Sequence, residues 1–206
     1  MYTSENEQVE ALQRWWQKNG RSALIGIAIA IALVLGWRSW QEHRAVRAAE
    51  ASALYQQVLE QQDAAAVLKT GSALVENYGD TAYASLASLA MASAAMQQND
   101  SDAAASHLRA AMDSAKIPGI RQAAAVRLAR VLLSQNKAQE ALVVLDGTEP
   151  AGLRGAFEEV RGDIQLALGN KDVARQAYQN ALAEYAGVAA KQDVLRLKLD
   201  DLADEA

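Results

Sequence analysis

The sequence predicts an all-α protein in which one N-terminal transmembrane helix precedes a solenoid of packed helical pairs. Three observations lead to this fold class. Residues 23–37 contain no charge and no side-chain amide or hydroxyl. All four tryptophans lie near the two ends of that stretch, and from residue 81 onward small and apolar residues recur at a regular period. Alanine is abundant, whereas the chain has two prolines and one phenylalanine, which favours closely packed helices over strands.

The apolar stretch predicts a single membrane span at residues 22–40. A helix of this length is about 28 Å long, close to a hydrocarbon core of about 30 Å. Trp15 and Trp16 precede the span, and Trp37 and Trp40 lie at its other end. Because Trp16 and Trp37 are about 31 Å apart along a helix, the two pairs are expected at opposite membrane interfaces. A buried core helix with scattered aromatic residues is the alternative, and the spacing of the tryptophans argues against it.

A cleaved signal peptide is another alternative for the apolar stretch. The leader before the stretch carries Glu5, Glu7 and Glu10, and no clean Ala-x-Ala cleavage site follows it. The helical pattern also continues beyond the stretch without a break. We therefore expect an uncleaved N-terminal anchor.

The orientation of the anchor does not follow from the basic residues around its apolar stretch, since Arg14, Lys18 and Arg21 precede the stretch and Arg38, Arg44 and Arg47 follow it. A long C-terminal domain is translocated largely regardless of its charge, and signal anchors usually keep a short tail in the cytoplasm. We therefore expect residues 1–21 in the cytoplasm and residues 41–206 on the other side of the membrane. The absence of cysteine from the chain is compatible with an oxidising compartment there.

A repeated pattern of small and apolar residues begins after residue 81. A small residue lies in the middle of each first helix, and a residue that tolerates a positive φ follows seven positions later. The periods of 37 and 33 residues are close to the 34 residues of a tetratricopeptide unit. The pattern predicts a tetratricopeptide-like α-solenoid, with an up-down helical bundle as the alternative. The recurring sets are Ala92, Ala129 and Gly162; Asn99, Asn136 and Gly169; Ala104, Ala141 and Ala174; Leu108, Leu145 and Tyr178; and Ala111, Thr148 and Ala181.

These patterns divide the chain into five segments. Helices are expected at 63–77 and at 41–62, the latter with Leu54, Tyr55, Val58 and Leu59 on its apolar side. The second helix of the middle unit is expected to end near Asp146. A capping helix is expected at 187–203, although a strand through its alternating leucines is the alternative. The segments are a cytoplasmic tail at 1–21, a transmembrane helix at 22–40, a stalk helix and first helical pair at 41–80, tetratricopeptide-like repeats at 81–186, and a capping helix and tail at 187–206.

The chain offers no recognisable set of catalytic or metal-binding residues. It has no cysteine, and its two histidines are His43, beside the predicted span, and His107, in a repeat helix. A lone histidine is more often a surface residue than a metal ligand, since ligands need partners. Residues 41–206 carry 16 basic and 22 acidic side chains, a balance of −6 that argues against nucleic acid as a ligand. We expect no enzyme activity, no cofactor, no metal and no nucleic-acid partner.

Two surfaces are candidates for binding other proteins. In a solenoid the first helices line a concave face, which suits an extended or helical peptide, although a solvated face would have a similar composition. In the anchor, small residues recur every four positions, a spacing that lets another membrane helix approach closely but that is also common by composition. The predicted concave-face residues are Leu89, Ser93, Met96, Val126, Arg130, Leu133, Glu159, Asp163 and Leu166. The predicted transmembrane packing residues are Gly26, Ala28, Ala30, Ala32 and Gly36.

Three stretches of the sequence resemble a known family. They are ENYGDTAYASLASLAMA at 76–92, GDIQLALGNKDVARQAYQNAL at 162–182 and LRLKLDDL at 195–202. Together with the anchor and its paired tryptophans, they make the whole chain similar to the YfgM family. The resemblance implies a bacterial inner-membrane protein with one N-terminal span and a periplasmic tetratricopeptide-like domain. It further implies an ancillary subunit of the SecYEG translocon that is paired with the prolyl-isomerase-like chaperone PpiD and passes unfolded secreted proteins to periplasmic chaperones.

The resulting hypothesis is a non-enzymatic, membrane-tethered adaptor of the Sec translocon. The alternative is a scaffold for cell-envelope assembly, in pilus or outer-membrane construction, that uses the same repeats. A membrane-bound hydrolase is a third and more distant alternative, and it would need activity that disappears with a single serine or histidine substitution.

Overall fold

The computed structural model describes residues 5–204, which form helices and no strand. This confirms the predicted all-α class. The described chain divides into two units, the first ending at Arg47 and the second beginning at Ala48. The helices are α1 (Glu5–Glu60), α2 (Ala64–Tyr78), α3 (Ala82–Gln97), α4 (Ser101–Ser114), α5 (Pro118–Ser134), α6 (Ala138–Asp146), α7 (Arg154–Ala167), α8 (Lys171–Glu184) and α9 (Ala189–Asp204).

The first unit is the N-terminal part of α1 and contains the predicted membrane span. Among the residues that the structure describes, one helix is long and apolar enough to cross a membrane. Its apolar window lies within Leu24–Glu60, has a mean hydropathy of 1.5 and is not buried. From Glu5 onward, the predicted tail, span and stalk are parts of this one helix, which ends at Glu60. No proline interrupts it, and most of its residues have high helix propensity.

The C-terminal part of α1 belongs to the second unit, where its buried side differs from the prediction. Leu59 was expected to face inward but is 58% exposed, so that assignment is wrong. Ala51 and Val58 are buried, and Val58 is one of the apolar residues that the prediction placed beside Leu59. Ala51 and Val58 are seven positions apart, or about two helical turns, and therefore lie on the same side of α1. Leu54 and Tyr55 pack between them against a small core around Leu74.

Stacked helical pairs form the rest of the second unit. Each helix from α2 to α8 packs against the next helix in the chain, and α9 packs against α8. The first helices of successive pairs also contact one another, α3 with α5 and α5 with α7. Contacts restricted to the next helix and the next pair are the pattern of a solenoid. The predicted tetratricopeptide-like architecture is therefore present.

Apart from the loop residues Asn99, Asn136 and Gly169, all the recurring positions are buried. The closest approach is at Gly162, where a Cβ atom would lie 2.3 Å from Cε1 of Tyr178. The ring of Tyr178 is 1% exposed and packs with Leu195 and Leu202 of α9. A small residue in the first helix thus lets the second helix of the same pair approach, as the spacing predicts.

The loops within the pairs share one backbone conformation. Asn99, Asn136 and Gly169 have φ angles of 59°, 61° and 81°. In each loop the next residue donates its N–H to the carbonyl of the residue five positions earlier, at 2.8–2.9 Å. This is the hydrogen bond of a Schellman motif, which requires a left-handed residue after the helix. The prediction that these three positions adopt a positive φ is confirmed.

Because this conformation is costly for a residue with a Cβ and no local polar compensation, replacing Asn136 by alanine is expected to destabilise the domain by about 1 kcal/mol. Asn136→Gly is expected to cause no loss of stability. The measurement is the midpoint of urea unfolding of the full chain in mild detergent, followed by far-UV circular dichroism. Gly119→Ala is the control, since that helical glycine has open space around it and a non-positive φ. If Asn136→Ala and Asn136→Gly were equally stable, the positive φ at residue 136 would not be costly for alanine and the prediction would be wrong.

The end of α6 and the extent of α9 agree closely with the prediction. Helix α6 ends at Asp146, close to the predicted end. Helix α9 covers Ala189–Asp204, and the strand alternative for its leucines is wrong. Leu195 and Leu202 are seven residues apart, so both lie on the side that packs on α8, whereas Leu197 is 64% exposed.

Candidate functional site

An open groove of about 430 Å³ lies between α3 and α5, the first helices of two successive pairs. We call it the α3–α5 groove. Leu108 and Val131 are among its buried apolar residues, whereas Met96 is 42% exposed. Four of the predicted concave-face residues lie together here, because α3 and α5 are neighbours in the solenoid. The groove is lined by Leu89, Ala92, Ser93, Met96, Leu108, Arg127, Arg130 and Val131.

The polar side of the α3–α5 groove consists mainly of two arginines. Arg127 and Arg130 are three residues apart on α5, so their side chains are neighbours on the helix surface. Arg130 forms an ion pair with Glu159 of α7, with an N–O distance of 3.7 Å. The charge of Arg127 acts on the Tyr55 hydroxyl, whose pKa is raised by burial and lowered in part by this arginine. The groove therefore combines an apolar surface with positive charge.

A cluster of charged residues adjoins the groove on the next first helix. Glu159 is 7% exposed. It forms ion pairs with Arg130 of α5 and with two lysines of α9. Lys191 lies 3.3 Å and Lys198 lies 3.7 Å from its carboxylate oxygens. Lys198 also lies 2.6 Å from Asp163. We call these five residues the Glu159 cluster.

Tyr178 connects the Glu159 cluster to the core of the last pair. Its hydroxyl donates a hydrogen bond of 2.8 Å to Asp163, and Lys198 lies 5.4 Å from the centre of its ring. Burial raises the pKa of Tyr178 well above its ordinary value, and Asp163 and Glu159 raise it further. The hydroxyl is therefore protonated at any physiological pH and remains a donor to Asp163.

The first unit presents the predicted membrane residues on its surface. Trp15, Trp16, Trp37 and Trp40 are each about half exposed. The rings of Trp37 and Trp40 lie 5.1 Å apart, and the guanidinium of Arg44 lies 4.7 Å from the centre of the Trp40 ring. The predicted packing residues Gly26, Ala28, Ala30, Ala32 and Gly36 are all exposed. At Gly26 and Gly36 a Cβ atom would meet nothing within 4 Å.

Comparison with known proteins finds relatives along the whole length of the chain. A family model described as a tetratricopeptide repeat-like domain matches residues 13–204. The protein of Aggregatibacter actinomycetemcomitans named ancillary SecYEG translocon subunit is 33% identical over 98% of this chain and 99% of its own length. The chain belongs to the YfgM family.

Further members of the YfgM family carry the same name. The protein of Haemophilus influenzae is 29% identical over 98% of this chain and 99% of its own length. The protein of Escherichia coli strain K12 is 27% identical over 98% of each chain. No solved structure matches the sequence significantly. The resemblance stated from the three sequence stretches is thereby confirmed.

The remaining predicted concave-face residues of this YfgM-family chain lie outside the groove. Val126 is 4% exposed and belongs to the hydrophobic core, and Leu133 packs partly against the same core. Leu166 is 38% exposed and lines a separate pocket of about 70 Å³ beside Tyr178 and Lys198. Binding of a partner by any of the nine residues remains a prediction.

Sequence reasoning missed three cations that shape the site. Arg127 lies next to Val126, which was projected onto the concave face in its place. Lys191 and Lys198 reach Glu159 from α9, and they lie 32 and 39 residues further along the chain. A pair of arginines three residues apart on one helix is a signal that could have identified Arg127. No local pattern points to the two lysines, because their contacts depend on where α9 docks.

The two histidines have ordinary surroundings. His107 is partly buried, which lowers its pKa, and Asp100 offsets part of this effect. His43 is an exposed residue of α1. Within residues 5–204 no group of three or more His, Asp or Glu side chains is arranged to hold a metal ion. The tetratricopeptide-like domain and the names of the relatives point to an adaptor family.

Proposed function

We propose that this chain is a non-enzymatic, membrane-tethered adaptor of the Sec translocon. The observation that carries the proposal is the full-length similarity to proteins named ancillary SecYEG translocon subunit. The apolar helix and the solenoid supply the two parts that such an adaptor needs. One part holds the protein in the bilayer, and the other offers a groove for a polypeptide.

In this proposal the chain is a single-pass protein of the bacterial inner membrane. The tail at 1–21 is cytoplasmic, the span is at 22–40, and the domain from residue 41 onward is periplasmic. The four tryptophans and Arg44 lie where membrane interfaces would be, given the length of the span. The exposed small residues of the span are the surface on which a helix of SecYEG would pack.

The adaptor acts by tethering. A partner held by the solenoid is confined near the channel exit, where its effective concentration reaches about a millimolar without an energy source. The proposed partners are SecYEG, the isomerase-like chaperone PpiD and newly translocated proteins. The exposed Met96 supports a polypeptide ligand, since a methionine side chain adapts to apolar surfaces of different shape.

Site-specific photo-cross-linking in living cells tests this function. A photoreactive residue at position 96 or 130, in the α3–α5 groove, is expected to form adducts with the channel, the isomerase-like chaperone or a translocating chain. The matched control is position 143, because Val143 is 63% exposed on α6 outside the groove. Adducts only with pilus or outer-membrane assembly factors would overturn the proposal in favour of an envelope scaffold.

A further inference from the structure

We propose that the α3–α5 groove recognises a polypeptide segment that carries a carboxylate close to a large apolar side chain. This inference rests on the proposed function in taking the ligand to be a protein, and it goes further by naming the chemistry that is recognised. It depends on three features of the groove, which are its size, its two arginines and the ion pairs of Glu159.

The size of the groove suits side chains and not a folded domain. Its volume of about 430 Å³ is in the lower part of the range of about 300–1,000 Å³ for ligand pockets. Leu89 and Val131 are 9% and 7% exposed, so the apolar surface is already formed and adds little ordering cost. One or two aliphatic side chains of a bound segment would be buried there.

The charge of the groove is opposite to that of the domain. Arg127 and Arg130 both line it, whereas residues 41–206 have a net charge of −6. Within residues 5–204, Arg127 forms no ion pair with a carboxylate, and it is an exposed residue. An arginine beside an apolar surface favours a ligand carboxylate, because hydrogen bonds between two charged groups are the strong ones.

Arg130 can turn to such a ligand at low cost. Its ion pair with Glu159 has an N–O distance of 3.7 Å, and its side chain is 44% exposed. Glu159 keeps Lys191 and Lys198 when Arg130 leaves, so the buried carboxylate is not stranded without a cation. The cluster thereby makes one of the two arginines available, and the groove can present two positive groups to a single acidic segment.

Direct binding to the full chain in phosphatidylcholine nanodiscs tests the inference. The probe is a fluorescein-labelled peptide in which two leucines and two glutamates share one helical face, and its twin carries glutamines in place of the glutamates. We expect the acidic peptide to bind about tenfold more tightly than its twin, by fluorescence anisotropy. Added salt is expected to weaken only the acidic peptide.

Substitutions locate the binding site. Arg127→Gln and Arg130→Gln are each expected to weaken the acidic peptide about tenfold, and Arg127→Glu is expected to bind a lysine-bearing peptide instead. Arg109→Gln is the matched control, since Arg109 lies on α4 outside the groove and pairs with Glu140. A gain of affinity for the basic peptide would not follow from loss of the groove alone.

Three results would overturn the inference: no binding of either peptide, equal affinity for the acidic peptide and its twin, or unchanged affinity in both groove variants.

Cross-linking from position 96 distinguishes a failure of this inference from a failure of the proposed function. If adducts with the channel or chaperone persist while the acidic peptide fails, the adaptor function stands and the inference falls. If the acidic peptide binds but the adducts are only with outer-membrane factors, the proposed recognition of a carboxylate is supported and the proposed Sec adaptor function is overturned.

Discussion

Replacing Gly162 by leucine is expected to destabilise the last helical pair by about 3 kcal/mol, at the upper end of the usual cost of overpacking. Even a Cβ atom at this position would lie 2.3 Å from the ring of Tyr178. The ring cannot move away easily, because it is 1% exposed, packs against Leu195 and donates to Asp163. Helices α7 and α8 would therefore separate. The measurement is the midpoint of urea unfolding of the full chain in mild detergent, followed by circular dichroism.

A double substitution distinguishes a steric effect from a loss of helix stability. Tyr178→Ala alone leaves a cavity and is expected to cost about 3–5 kcal/mol. In Gly162→Leu with Tyr178→Ala, the leucine fills part of that cavity, so the combined loss is expected to be smaller than the sum of the two. Gly119→Ala is again the control, because a Cβ atom at Gly119 meets nothing within 4 Å. Strict additivity of the two losses would show that residues 162 and 178 do not compete for space.

The fold was predictable where local sterics dictate the sequence. A close helix crossing admits only a small residue, and a Schellman loop admits glycine or asparagine, so both features leave a mark at fixed spacing. Asn99, Asn136 and Gly169 therefore identified the loops, and Gly162 identified the closest crossing. The end of α6 is different, because Gly147 has a φ of −79° and forms no such loop. These rules depend on neighbours in the chain or in the same pair.

The candidate site was predictable only in part. Leu89, Ser93 and Met96 are spaced along one side of α3, and all three line the groove. On α5 the projection selected Val126, but this residue lies in the core, and its neighbour Arg127 lines the groove. One residue corresponds to a rotation of about 100° on a helix, so a small error in register changes which side chain faces a ligand.

The Glu159 cluster illustrates a second limit of sequence reasoning. Glu159 and Asp163 were placed on an open concave face, yet their carboxylates are paired with lysines of α9. Those contacts result from the docking of the whole helix, which Leu195 and Leu202 direct through apolar packing. The spacing of charges within α9 contains no information about the carboxylates on α7. Part of the predicted concave face is therefore occupied by the chain itself.

Replacing Lys198 by glutamate is expected to loosen the docking of α9 by about 2 kcal/mol. This is less than the roughly 3–5 kcal/mol for breaking a fully buried ion pair, because Lys198 is 28% exposed and solvent screens it. The substitution removes the contact of 2.6 Å to Asp163 and adds a third carboxylate beside Asp163 and the buried Glu159. Amide hydrogen exchange in α9 is expected to accelerate about thirtyfold, which mass spectrometry of the full chain in nanodiscs would detect.

The matched control is Arg196→Glu, which makes the same change of charge in the same helix. Arg196 is 59% exposed and forms a local ion pair at 3.3 Å from Asp193, so little change in exchange is expected. If only Lys198→Glu accelerates exchange and the rest of the solenoid keeps its protection, α9 is a separate cooperative element held by two leucines and a few ion pairs. Glu159 also forms an ion pair with Arg130, which lines the α3–α5 groove. Undocking of α9 should therefore alter this groove as well, so that α9 is linked to the surface proposed for partners.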